Sequence, residues 1–265
     1  MLIDTHCHLD AAEFDADRNK VALQALQQGV SNIVIPAVAR NNFDTVIAIC
    51  NQHKHCAYAL GIHPMCVDGA TPQDIETLKT YIAKNNPIAI GEIGLDYFVT
   101  KTNIEKQTYF LTEQLKIAKQ HDLPVILHVR HAVDDVLKYV RRYEIKSGIA
   151  HAFNGSFQQA EQFIGLGFKL GFGGAMTYSR ALRIRELATK LPLEAIVLET
   201  DSPDIPPEWI GTKGRNTPLE LPKIAQVLAD LRGVNVSEVL EITSANALKI
   251  LPKLLDLCTP PNPLL

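Results

Sequence analysis

The sequence predicts an α/β protein with a (β/α)8 TIM barrel fold. Eight short apolar runs alternate along the chain with segments of helical periodicity. The length of 265 residues is close to the roughly 250 residues typical of such a barrel. An open doubly wound sheet is the competing fold, but it usually carries a glycine-rich phosphate loop after its first strand. Here the first run is followed by His6, Cys7 and His8, which favours the barrel.

The eight apolar runs predict the strands. They are rich in Ile, Val, Leu and Ala and show no clean alternation with polar residues. Continuous apolar runs are typical of parallel strands that are buried on both faces. In chain order the predicted strands are Leu2–Asp4, Asn32–Val38, Ala57–Ile62, Ile88–Ile93, Pro124–Val129, Gly148–Ala152, Phe168–Phe172 and Ala195–Leu198.

The segments between the runs predict helices that pack one face against the sheet. Within residues 131–144, apolar side chains recur at helical spacing at Val133, Val136, Leu137 and Val140. Segments 103–122 and 217–233 show the same periodicity. We expect a single barrel domain over residues 1–257, followed by an extended, proline-rich tail over residues 258–265.

The composition is that of a globular protein without the bulk charge needed to coat nucleic acid. Hydrophobic residues make up 46% of the chain, and 26 basic against 29 acidic side chains give a net charge of -3. Contacts with a few phosphates remain compatible with this balance. The five cysteines include no Cys-x-x-Cys pair, and no secretory signal or membrane-spanning run is evident. We therefore expect a cytoplasmic protein with no membrane partner and no obligate protein partner.

Polar residues mark the carboxyl ends of six predicted strands, where barrels of this type build their sites. Five of the nine histidines lie there. One histidine or carboxylate in such a place is usually a hydrogen-bonded structural residue. A group of them buried in one cavity, however, needs a compensating partner. The set comprises His6, His8, His63, Glu92, Asp96, His128, Arg130, His151, Glu199 and Asp201.

A pair of divalent cations is the partner that we expect for this cluster. Six candidate ligands exceed what one tetrahedral ion accepts, and a carboxylate from a central strand is suited to bridge two ions. Nitrogen and oxygen ligands without thiolate favour Zn²⁺ or Mn²⁺, and Mg²⁺ is compatible although it prefers fewer imidazoles. The expected division gives His6, His8 and Asp201 to one ion and His128 and His151 to the other, with Glu92 shared.

Two such ions predict hydrolysis of an ester or amide, with a phosphate ester as the leading case. Asp201 and Glu92 are the predicted catalytic residues, and Asp201 is both a ligand and a proton acceptor. Glu199 either orients a ligand histidine or pairs with a lysine or arginine inside the barrel, and the sequence leaves both interpretations open. The candidates for holding a substrate anion are His63, Arg130 and Arg215.

Six motifs occur in order along the chain: DTHCHLD, GIHP, GEIGLDY, PVILHVR, HAFNGS and LETDSP. Together they resemble the motifs of the TatD family of metal-dependent deoxyribonucleases, within the amidohydrolase superfamily. The resemblance runs from residue 2 to about residue 250 and is strongest to the bacterial YjjV-type branch. It implies a (β/α)8 barrel and the six-residue, two-metal ligand set given above. It also implies hydrolysis of DNA phosphodiester bonds, typically from a 3′ end and dependent on Mg²⁺ or a related ion.

Two other functions stay open. An amidohydrolase-type enzyme acting on a small amide, lactone or ester, including an aminoacyl-tRNA ester, would use similar ligands. That alternative is disfavoured because no strand end carries a lysine that would serve as a carbamylated bridge, and Glu92 takes this role instead. A non-catalytic barrel that binds a partner would be expected to have lost rim ligands, and none is missing. A deoxyribonuclease is therefore the leading prediction, with DNA or another phosphate ester as substrate.

Overall fold

The computed structural model describes residues 1–98 and 103–258 and shows the predicted barrel. Its sheet has eight strands in sequence order, and every neighbouring pair is parallel. Each predicted run overlaps one strand, although the second strand begins earlier than predicted and the fourth ends later. The strands are β1 Leu2–Asp4, β2 Val30–Pro36, β3 Cys56–Leu60, β4 Ala89–Asp96, β5 Val125–Arg130, β6 Gly148–Ala150, β7 Lys169–Phe172 and β8 Ile196–Leu198.

Backbone hydrogen bonds between the segments around β1 and β8 close the barrel. The Thr5 amide donates to Leu198 O over 3.1 Å, and the His8 amide donates to Ser202 O over 2.7 Å. Between them, the Asp201 amide donates to His6 O over 2.8 Å. The first and last motifs of the chain therefore lie side by side at the carboxyl rim of the barrel.

Ten α-helices are present in the described residues, and those that follow the strands cover the outside of the sheet. Helix α9 instead closes the amino end, where its Ala247 and Ile250 join a buried cluster with strand residues such as Ile3 and Val197. The carboxyl rim is thereby the open end of the barrel. The helices are α1 Arg18–Gln27, α2 Phe43–Gln52, α3 Pro72–Asn85, α4 Ile104–Gln120, α5 Val133–Arg142, α6 Phe157–Gly165, α7 Leu182–Lys190, α8 Leu221–Arg232, α9 Val236–Ile250 and α10 Leu255–Cys258.

Two sequence expectations concern the chain terminus and the membrane. Cys258 is the last residue of α10, and residues 259–265 of the predicted tail lie outside the described residues. Within the described part of the chain, every helix is too short or too polar to cross a membrane.

Candidate metal centre

Glu92 lies at the middle of a cluster of imidazoles at the carboxyl rim. It belongs to β4 and is 1% exposed. Its two carboxylate oxygens face different groups of rings. Oε2 lies 3.2 Å from His6 Nε2 and 3.5 Å from His8 Nε2. Oε1 lies 2.9 Å from both His128 Nδ1 and His151 Nε2.

The donor set on the Oε2 side has the spacing of a tetrahedral ion site. The Nε2 atoms of His6 and His8 are 3.2 Å apart. Asp201 Oδ1 lies 3.5 Å from the first of these atoms and 3.6 Å from the second. Ligands bound at about 2.0–2.1 Å to a tetrahedral ion are separated by about 3.3 Å. His6, His8, Asp201 and Glu92 Oε2 therefore fit one divalent cation.

The donor set on the Oε1 side consists of Glu92, His128 and His151. The far nitrogen of His128, Nε2, lies 2.9 Å from Asp96 Oδ2. A carboxylate behind a histidine fixes the orientation of the ring and the nitrogen that it presents to a metal. Asp96 thus holds His128 so that Nδ1 faces Glu92. These distances are compatible with the division expected from the sequence, which stays a prediction. Donor atoms of His6, Glu92 and His151, and those of His63, Glu92 and His128, also lie within 4.8 Å of one another.

The close approach of β4 and β5 at this point depends on a glycine. Gly94 pairs with His128 across the two strands and has a φ of 159°. A Cβ atom at Gly94 would collide with the backbone of His128. The second glycine of the GEIGLDY motif, Gly94, therefore allows Glu92, Asp96 and His128 to come within hydrogen-bonding distance.

His63 also belongs to the cluster, but its protonated nitrogen, Nε2, faces Glu92. Its Nδ1 accepts the amide hydrogen of Met65 over 3.1 Å, and its Nε2 lies 3.3 Å from Glu92 Oε1. A neutral imidazole that accepts at Nδ1 has its hydrogen on Nε2. His63 therefore acts as a hydrogen-bond donor, because a protonated Nε2 has no lone pair for a metal.

Glu199 lies behind His151, with its carboxylate just beyond hydrogen-bonding distance of the ring. Its Oε1 accepts the Ala152 amide over 2.5 Å and lies 3.7 Å from His151 Nδ1. In the described residues Glu199 forms no ion pair with a lysine or an arginine, which favours the interpretation that it orients a histidine. Gly171 makes room for it, because a Cβ atom there would collide with the Glu199 carboxylate.

Burial and mutual charge shift the pKa values of this cluster strongly. Burial raises the pKa of Asp201 to about 6, against the opposing effect of His151 and His8. Burial alone would lower the pKa of His8, but its hydrogen bond to Glu92 and the nearby carboxylates raise that pKa to about 9. Burial also opposes ionisation of Glu92, yet the surrounding imidazoles hold its pKa well below the usual value. The site thus favours charged groups of both signs, as a cation-binding site requires.

The two arginines predicted to hold a substrate anion lie in different surroundings. The Arg130 guanidinium is stacked on the ring of Phe98, with Cζ 3.8 Å from the ring centroid. Arg215 forms a two-pronged ion pair with Asp17, over 2.7 and 2.8 Å, and also donates to Glu13 O. Among residues 1–98 and 103–258, the donors of Arg130 are therefore available, whereas those of Arg215 are engaged by the segment that precedes α1.

The barrel, with imidazoles and carboxylates at its carboxyl rim, defines the class of metal-dependent hydrolases. Residues 3–252 match the model of the family described as TatD related DNase. The chain is 39% identical over 241 residues to the uncharacterized metal-dependent hydrolase YjjV of Escherichia coli K12, covering 89% of this chain and 92% of that protein. The protein belongs to the TatD family and is a metal-dependent hydrolase.

The solved structure of YjjV and one further relative support this assignment. The crystal structure of YjjV from Escherichia coli K12, described as a TatD homologue, superposes with a TM-score of 0.90 at 37% identity, covering 95% of this chain and 98% of that chain. The human protein named deoxyribonuclease TATDN3 is 31% identical, covering 96% of this chain and 95% of that protein. The family, fold and enzyme class predicted from the sequence are confirmed. The individual site residues stay predictions.

Proposed function

We propose that this protein hydrolyses DNA phosphodiester bonds, as an exonuclease that acts from a 3′ end, with two divalent cations held at the carboxyl rim. One observation carries the proposal most directly. The two oxygens of Glu92 face different imidazoles, His6 and His8 on one side and His128 and His151 on the other, as expected of a carboxylate that would bridge two ions. The family model for TatD related DNases and the similarity to a protein named deoxyribonuclease support the choice of DNA.

His6, His8 and Asp201 would hold one cation, with His128 and His151 on the other and Glu92 shared between them. When bound, such a pair would lower the pKa of a water molecule, and it would neutralise charge on the phosphate that this water attacks. The donor atoms are imidazole nitrogens and carboxylate oxygens, which suit Zn²⁺ or Mn²⁺ and also admit Mg²⁺.

The side chains of the cluster have separate tasks in this proposal. Asp201, with a pKa of about 6, is ionised at neutral pH and accepts the proton of the attacking water. His63 presents its Nε2 hydrogen to the cluster and donates it to a phosphate oxygen when substrate is bound. Arg130, whose guanidinium matches two phosphate oxygens, holds the phosphate of the substrate.

An assay with end-labelled single-stranded DNA tests the proposal. The wild-type protein with Mn²⁺ or Mg²⁺ should shorten the strand from its 3′ end, and the Asp201→Asn variant should be at least about 100-fold slower. A His55→Ala variant is the matched control, because it removes an imidazole at the opposite end of the barrel. If wild type and Asp201→Asn are equally inert on DNA while a panel of small esters and amides shows Asp201-dependent turnover, the amidohydrolase alternative replaces the nuclease. The cytoplasmic location stays a prediction.

A further inference from the structure

An aromatic ring stands exposed beside the metal centre, on the side of β4 and β5. Phe98 follows the end of β4 and is 53% exposed. Arg130 is stacked on this ring, and the His131 ring meets it edge-on with centroids 5.4 Å apart. Exposing a large aromatic side chain to water has a cost in free energy. An exposed aromatic ring with an arginine against one face, beside a catalytic site, is typical of a surface on which planar ligands stack.

Hydrogen bonds tie this ring to the metal centre. The Phe98 amide donates to Asp96 Oδ1 over 2.9 Å, and the other oxygen of the same carboxylate lies 2.9 Å from His128 Nε2. Gln107 further fixes Asp96 by accepting its amide hydrogen and donating to its carbonyl oxygen. The backbone of Phe98 is therefore anchored to the carboxylate that orients His128.

The donors of Arg130 are free to bind a ligand. In residues 1–98 and 103–258, the guanidinium takes part in no hydrogen bond or ion pair, and its contact with Phe98 uses only its flat face. A guanidinium that is stacked keeps its N–H groups in one plane at its edge, where they match two phosphate oxygens. One ligand that satisfies both an aromatic face and an arginine edge is a nucleotide.

A cleft continues from this position across the rim. It has a volume of about 570 Å³, and its lining includes Tyr97, His131, Asn154 and Arg183. Arg183 donates through two nitrogens to Asn154 Oδ1, over 3.1 and 2.7 Å, so a positive charge is held in the wall. The lining also includes the carboxylates of Asp134 and Asp135, so the cleft has no excess of positive charge for further phosphates. A site for a nucleotide is therefore limited to Phe98 and Arg130.

Trp209 presents a second exposed aromatic ring at the rim. It is 42% exposed, but its Nε1 donates to Glu220 over 2.6 Å. No hydrogen bond of the described residues joins it directly to a predicted metal ligand. Phe98 is therefore the better placed ring.

We propose that Phe98 stacks on the nucleobase next to the scissile phosphate, and that it aligns Arg130 on the phosphate of the same nucleotide. The proposal rests on the nuclease function proposed above. If Phe98 has this role, the enzyme prefers strand ends that carry a base over abasic ends. Phe98 is a positioning and specificity residue, since the reacting atoms lie at the metal centre.

Binding and turnover of DNA that ends in a base or in an abasic residue test this role. Oligonucleotides with the fluorescent base 2-aminopurine at the 3′ end report stacking, because contact with an aromatic ring quenches their fluorescence. A matched set with 2-aminopurine at the 5′ end is the control. We expect Phe98→Ala, made in the inert Asp201→Asn protein with Mn²⁺, to weaken binding at least about fivefold and to abolish the quenching. Phe98→Trp should retain both, whereas Phe98→Leu, which is apolar but not aromatic, should behave like Phe98→Ala.

The abasic oligonucleotide separates stacking from a general structural defect. On the Asp201→Asn background, Phe98→Ala should weaken binding of this oligonucleotide less than binding of the one that ends in a base, because only the alignment of Arg130 is then lost. Thermal unfolding of the variants should be unchanged because the side chain is exposed. Equal loss for both oligonucleotides, or persistent quenching in Phe98→Ala, would overturn the proposal while the nuclease function stands. If the wild-type protein neither binds nor cleaves DNA, the proposed function fails and this inference fails with it.

Discussion

The two ends of the barrel each hold a pair of neighbouring histidines in a His-x-His spacing. At the carboxyl rim, the rings of His6 and His8 have centroids 4.9 Å apart and are nearly perpendicular at 81°. At the amino end, His53 and His55 precede β3, with centroids 5.9 Å apart and an angle of 73°. Spacing and ring geometry therefore hardly distinguish the two pairs.

The partners of the rings do distinguish them. The amino-end rings contact neutral oxygens, Asn19 Oδ1 at 2.9 Å and Ala22 O at 3.1 Å. Burial lowers the pKa of both of these rings, so they are neutral at pH 7. The rim rings instead converge on Glu92 and Asp201. We therefore predict that the rim pair binds metal, because it shares a cavity with carboxylates, and that the amino-end pair has a structural role.

Removal of the shared carboxylate should have the largest effect. Glu92→Gln keeps the shape of the side chain but removes the charge between the two donor sets, so we expect the loss of at least one cation per chain and a fall in turnover of at least about 100-fold. Elemental analysis and an activity assay measure these changes. The double variant His53→Ala, His55→Ala should keep wild-type metal content, and a loss of metal there would break the comparison.

The affinity for metal should rise with pH, because protons compete for the rim ligands. His8, whose pKa is raised to about 9, and His151, whose pKa is raised well above its usual value, both carry protons at pH 7.5 in the metal-free protein, and a cation must displace them. The apparent affinity should therefore increase by more than tenfold per pH unit around pH 7.5. Below about pH 6 it should fall more steeply, since Asp201 then also takes up a proton.

Calorimetric titration of the metal-free protein in buffers of different ionisation enthalpy measures this proton release. The amino-end pair should contribute nothing, because its rings are already neutral. Equal proton release by wild type and His8→Ala at pH 7.5 would contradict the assignment of a released proton to His8.

Glu199→Gln should have an intermediate effect. The substitution keeps an oxygen for the Ala152 amide but weakens the support of His151 Nδ1, so we expect a loss of about 10- to 100-fold in activity or metal affinity. Gly171→Ala should mimic it by displacing the carboxylate. Wild-type kinetics in both variants would show that the contact behind His151 is dispensable.

Arg215→Ala should have the smallest effect. Arg215 and Asp17 are both partly exposed, and such ion pairs contribute about 0–1 kcal/mol to stability. The KM for an oligonucleotide should stay within about twofold of wild type, whereas Arg130→Ala should raise it by about tenfold through the loss of a charge-assisted phosphate contact. If Arg215→Ala raises KM as much as Arg130→Ala does, the pair with Asp17 opens to bind substrate.

The strands and the composition of the rim cluster are predictable from sequence, because both follow from local patterns. Continuous apolar runs give parallel strands, and the polar residue that follows a strand must lie at the carboxyl rim. The structural role of Asp96 was missed, although a signal existed: Asp96 lies four residues after Glu92 in one strand and so shares its face. The tautomer of His63 depends on a backbone amide that no pattern reveals.

Contacts between distant segments set the limit of sequence reasoning. Arg215 pairs with Asp17, 198 residues earlier in the chain, and nothing in either local sequence indicates that pairing. The stacking of Arg130 on Phe98 likewise arises only when β4 and β5 are aligned. A single sequence thus identifies which side chains reach the rim, while the structure determines which of them remain available for substrate.

Anomalous diffraction from crystals grown with Mn²⁺ tests the central claim most directly. We predict two peaks about 3.5–4 Å apart, one beside His6, His8 and Asp201 and the other beside His128 and His151, with one oxygen of Glu92 directed at each. A single peak that both Glu92 oxygens share, or a peak at His53 and His55 with none at the rim, would contradict a bridged pair of cations.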